Sequence, residues 1–95
     1  MRIEFTRSGG LAGRRTRVAL DLDELPAAER QAIESLVERA GFFDLPAECL
    51  SPRPDAFQYT VTIEAEGRRH CVRADDLGAP QHLRPLLERL ARLAR

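Results

Sequence analysis

The stretch FQYTVTIEAEGRRHCVRA, residues 57–74, settles how the chain folds. Phe57, Tyr59, Val61, Ile63 and Ala65 alternate with Gln58, Thr60, Thr62 and Glu64. A period of two turns every apolar side chain to one face of a strand. Glu66-Gly67 follows, a pair suited to a two-residue hairpin turn. Such a turn sets Ala65 opposite Arg68, Ile63 opposite His70, Val61 opposite Val72 and Tyr59 opposite Ala74. Apolar residues then meet at nearly every rung of one face, so turn and pattern specify the same register. Cys71 falls on the other face.

A second alternating pair lies upstream. Ile3 and Phe5 alternate with Arg2, Glu4 and Thr6, and Val18, Leu20 and Leu22 alternate with Arg17, Ala19 and Asp21. Residues 8–13, Ser8-Gly9-Gly10-Leu11-Ala12-Gly13, read as a long hairpin loop between them. Pro26 suits the first turn of a helix. Ile33, Leu36, Val37 and Ala40 continue it as one apolar stripe, and Gly41 ends it. Phe42 and Phe43 read as core plugs at the helix exit. Residues 44–56, DLPAECLSPRPDA, hold three prolines and no period, which predicts a loop. Pro80 starts the last helix. Leu83, Leu86, Leu87, Leu90 and Leu93 line one side of it, with Arg84, Glu88, Arg89 and Arg92 elsewhere and Pro85 in its first turn.

The expected architecture is therefore α+β in the order ββαββα. It has a four-stranded, largely antiparallel sheet with two helices packed on one face. At 95 residues the chain is expected to be a single domain spanning positions 1–95. Fifteen basic residues, all arginine, balance fifteen acidic ones, so no global field steers the chain toward nucleic acid or an anionic membrane. Arg7, Arg14, Arg15 and Arg17 do cluster around the glycine-rich loop. The few aromatic residues are assigned to the core, however, which leaves no platform for stacked bases. The chain has no apolar run of signal-peptide or membrane-span length, so the expected location is the cytoplasm. A monomer is the expected free state, because no apolar stripe is left over.

Chemistry is hard to find. Cys49, His70, Cys71 and His82 lack the closely spaced ligand pairs of a structural zinc site, and neighbours on a strand such as His70 and Cys71 point to opposite faces. Two cysteines are too few for a disulfide framework, and the expectation is two free thiols. The glycine-rich loop matches neither phosphate-binding motif and joins strand to strand. Asp21, Asp23, Asp75 and Asp76 sit at element ends, where acids form turns and caps. No nucleophile, base or metal cluster emerges, so the chain is not expected to be an enzyme, nor to need a cofactor or metal of its own.

Four runs carry a resemblance. They are F-T-R-S-G-G-L-A-G at 5–13, G-F-F-D-L-P at 41–46, F-Q-Y-T-V-T-I at 57–63 and P-Q-H-L-R-P-L-L at 80–87. In this order the chain resembles the emfourin family, small bacterial protein inhibitors of thermolysin-type zinc metalloproteases, named from an inhibitor paired with protealysin. The resemblance implies a reversible inhibitor whose partner is a thermolysin-type, protealysin-like protease. It also implies a protease-binding segment formed by Arg7, Ser8, Gly9, Gly10, Leu11, Ala12 and Gly13. Leu11 holds the place where the family pattern has a bulky apolar residue. Proteases of this type prefer a large apolar residue after the scissile bond, so Leu11 could plug that pocket; alternatively, Leu11 folds back on its own sheet. Residues 46–54, P-A-E-C-L-S-P-R-P, could add a second contact. The alternative function is a non-inhibitory module of the same fold that binds protein or nucleic acid.

Overall fold

The computed structural model describes residues 1–9, 13–52 and 57–94. Its strands are β1 (Arg2–Gly9), β2 (Arg14–Asp21), β3 (Glu48–Cys49), β4 (Gln58–Ala65) and β5 (Arg68–Asp75), and its helices are α1 (Ala27–Ala40) and α2 (Arg84–Leu93). The β4–β5 hairpin has the register read from the sequence: Ala65 opposite Arg68, Ile63 opposite His70, Val61 opposite Val72, Tyr59 opposite Ala74. Glu66 and Gly67 both have positive φ, 51° and 76°. That is the mirror-image turn whose twist matches a hairpin, and Gly67 adopts it without a Cβ penalty.

The expected four-stranded sheet in the order ββαββα is corrected to a five-stranded mixed sheet in the order ββαβββα. Its spatial order is β2-β1-β4-β5-β3. The additional strand lies within the proline-rich stretch expected to be a loop. It runs parallel to β5, with Glu48 beside Arg73 and Cys49 beside Ala74, and the Arg73 N–H donates to the Ala47 carbonyl at 2.8 Å. Two residues are too few to display an alternation, so this strand leaves no periodic signal. The two hairpins join through β1 and β4, antiparallel, with Ile3 opposite Ile63 and Phe5 opposite Val61.

Two boundaries also move. Ser8 and Gly9 belong to β1, opposite Arg15 and Arg14, so the ladder takes over the first part of the expected loop. The last helix begins at Arg84 rather than Pro80, and Pro80 to Leu83 form a turn closed by the Leu83 N–H on the Pro80 carbonyl at 3.0 Å. Pro85 has no N–H to donate back to Gln81, so the helical ladder cannot extend through it toward Pro80.

One core joins both helices to a single sheet face. Ile3, Phe5, Val61, Ile63, Val72 and Ala74 from the sheet cluster with Ile33, Val37 and Ala40 of α1 and Leu86, Leu87 and Leu90 of α2. Phe42 is buried as expected, and Phe43 packs edge-on against it with ring centroids 5.7 Å apart. The residues between these inward positions, among them Glu4, Arg17, Glu64, Arg69 and Cys71, are exposed on the other face of the sheet.

Candidate functional site

The strand order brings together three segments distant in sequence. β1 ends at Gly9 beside Arg14, and Ser8 lies opposite Gln58 at the start of β4. Gln58 in turn lies opposite Asp75 at the end of β5. The connection from β1 to β2, the entry to β4 and the exit from β5 therefore share one end of the sheet. Among the candidate residues, Arg7, Ser8 and Gly9 are on β1 and Gly13 precedes β2. Gly9 and Gly13, with φ of 108° and 60°, bracket the connection. Gly10, Leu11 and Ala12, and with them both readings of Leu11, lie outside the described residues.

Asp75 and Asp76 organise this end as turn formers, in the role expected of them. Asp75 is 1% exposed. Its Oδ2 accepts from the Ser51 N–H at 2.8 Å and the Ser51 hydroxyl at 2.6 Å, and its Oδ1 accepts from the N–H groups of Leu77 at 3.2 Å and Gly78 at 2.6 Å. The Ser51 hydroxyl bond is the largest influence holding this carboxyl below the ordinary carboxylate range; burial opposes it, and the backbone N–H bonds add to the lowering. Asp76 grips the other flank: its Oδ2 accepts from the Phe57 N–H at 3.3 Å, and its Oδ1 accepts from the Tyr59 hydroxyl. The two adjacent carboxylates thus tether Ser51 and Phe57 to the exit of β5. Gly78 is required for this packing, because a Cβ there would stand 2.3 Å from the Cys49 carbonyl oxygen.

The clamp leaves two large apolar side chains in solvent at this end. Leu50 is 37% exposed and Leu77 is 56% exposed. They are the exposed large hydrophobic residues among the described ones. Leu50 belongs to the 46–54 stretch expected to give a second contact, of which Arg53 and Pro54 lie outside the described residues.

The arginine cluster read around the loop is divided between two faces. Arg7 shares the inward parity of Ile3 and Phe5, and its guanidinium carbon sits 4.0 Å from the centroid of the Phe57 ring. Arg15 and Arg17 are exposed on the opposite face. The four candidate zinc ligands are not brought together either. His70 Nε2 donates to the Leu45 carbonyl oxygen at 2.7 Å, Cys71 faces away, and both cysteines are free. Among the described residues no group of three or more His, Cys, Asp or Glu side chains could hold a metal ion, and no helix is long and apolar enough to cross a membrane.

Residues 5–91 match the family model described as Emfourin. The chain belongs to the emfourin family. The match spans the sheet end, α1, most of α2 and all four runs that carry the resemblance. Emfourin membership points to a role of metalloprotease-inhibitor type and to a protease as partner. No curated protein matches the chain, and no solved structure does. Sequence reading missed the clamp built by Asp75 and Asp76 on Ser51 and Phe57. The only local signal was the acid pair itself: Asp75 Oδ1 serves the turn that follows, while Asp75 Oδ2 and both Asp76 oxygens serve groups far away in sequence.

Proposed function

We propose that this emfourin is a reversible protein inhibitor of a thermolysin-type zinc metalloprotease. Its contact surface is the sheet end bearing residues 8–13. The observation that carries the reading is the gathering of that connection with Leu50 and Leu77 at one end of the molecule. Apolar side chains are expensive to leave in water, and two of them at the same end of the sheet as the β1–β2 connection suit an interface. In this reading Leu11 is an apolar anchor for the protease pocket and the catalytic zinc belongs to the protease. Leu50 belongs to the second contact.

An inhibition constant and a melting temperature for each Leu11 variant, against one responsive thermolysin-type protease, test the proposal. Burying a leucine is worth ~1.5–3 kcal/mol, so Leu11→Ala should raise the inhibition constant about tenfold to hundredfold. Leu11→Asp should be worse, because the pocket would desolvate a carboxylate. Leu11→Phe should be tolerated. Unchanged inhibition in Leu11→Asp would exclude the anchor, and a parallel loss of stability would mean that Leu11 packs on its own sheet. No slowing of several such proteases at micromolar protein would favour the non-inhibitory module.

A further inference from the structure

A cleft of about 320 Å³ opens between the sheet and α2, lined in part by Arg7, Tyr59, Asp76, Arg84, Glu88 and Arg92. Arg84, Glu88 and Arg92 recur every fourth residue, so they form one stripe of α2 along the cleft rim. Arg7 and Tyr59 form the facing wall from neighbouring strands, where they lie opposite each other. Three arginines thus share the lining with two acidic residues. Asp76 is already committed, one oxygen to the Phe57 N–H and the other to the Tyr59 hydroxyl. Glu88 makes no ion pair within 4.0 Å among the described residues.

Arg7 gives the cleft its chemical preference. Its Nε is buried and has no hydrogen-bond partner. Stacking on Phe57 uses the flat face of the guanidinium and leaves its in-plane N–H donors for an acceptor. A donor of this kind is costly to bury unpaired, and the remaining N–H groups of the same guanidinium, on the cleft wall, can meet a planar anion in a bidentate fork. The rim arginines are exposed, so the cleft suits a group presented from another surface better than an enclosed small molecule. Arg7 also lies two residues before Gly9, at the sheet end described above.

We infer that this cleft is a carboxylate-binding site, and that its occupant in the complex is an acidic side chain of the protease. The identity of the occupant rests on the inhibitor reading; the chemistry of the cleft does not. The two are tested separately. In the first arm the free protein is titrated with N-acetyl-aspartic acid N-methylamide at constant ionic strength, followed by the Nε–H resonances of the arginines and by Tyr59 fluorescence. A saturable shift of Arg7 Nε–H is expected. It should weaken at least threefold in the double variant Arg84→Gln, Arg92→Gln and stay unchanged in Arg17→Gln on the outer face. Glutamine is a good helix former, so the double variant should keep its melting temperature. A uniform, non-saturating drift of all arginine resonances would overturn the site. In the second arm the same variants are assayed against a responsive protease at low and high salt. The double variant should inhibit about tenfold less tightly at low salt, with the gap narrowing as salt rises. Probe binding with inhibition unchanged in the double variant would overturn the protease side chain as occupant. Probe binding by a wild-type chain that inhibits no protease would leave the site standing and remove the inhibitor reading.

Discussion

Tyr59 reports on its own surroundings, because the chain has one tyrosine and no tryptophan. Its hydroxyl is pushed up to about 12, first by burial and then by the hydrogen bond to Asp76 and the charge of that carboxylate. An unperturbed tyrosine titrates near ~10. The neutral form is therefore the one favoured by folding. The stability this preference contributes is whole below about pH 10 and is lost as pH rises through 12. An alkaline titration followed by phenolate absorbance should show a single midpoint near 12 in the folded protein, moving toward ~10 in Asp76→Ala. A wild-type midpoint near ~10 would mean that neither the burial of Tyr59 nor its contact with Asp76 persists in solution. The acid pair also shows where reading single residues stops. Its position at an element end announced a turn, but its partners Ser51 and Phe57 are set by tertiary folding, which no local pattern encodes.

The β4–β5 hairpin was legible because two independent signals, strict alternation and a turn pair, demanded one register. Val61 and Val72 accordingly lie buried opposite each other, with Cys71 exposed between inward positions. Val61→Asp should cost at least ~3 kcal/mol, since it would bury an unpaired charge, whereas Cys71→Ser should stay within about 0.5 kcal/mol. Chemical denaturation of both variants checks this, and equal losses would place the two residues in similar environments. α1 was legible in the same way, from Pro26 before it and Gly41 in the left-handed conformation after it. β3 was not, because two residues carry no period and its pairing is set by the distant Arg73 and Ala74. The arginines of α2 were legible only as the side away from the leucines. That Arg84 and Arg92 line a cleft with Arg7 depends on where β1 lies, and no local pattern displays that placement.

How the two hairpins join could not be read from either one, since each offers edges to the other. The structure makes β1 and β4 the strands paired on both sides over all but one residue each, Gly9 and Ala65, while β2 is an edge and β3 is two residues long. Amide exchange should therefore be slowest in β1 and β4 and fastest in β3, because interior ladders open only with the whole sheet. Exchange in β2 as slow as in β4 would contradict the strand order. The same arrangement has a consequence for synthesis. β1 leaves the ribosome early, yet its second neighbour is β4, made much later, and the leucines that cover it belong to α2, made later still. Until then β1 has only β2 as a sheet partner and α1 as the one helix made, and a two-stranded hairpin by itself is marginal in water. Ile3 and Phe5 lack Val61, Ile63 and the leucines of α2 until those segments are made, so a stall within residues 58–93 would leave them open to chaperones or to other nascent chains.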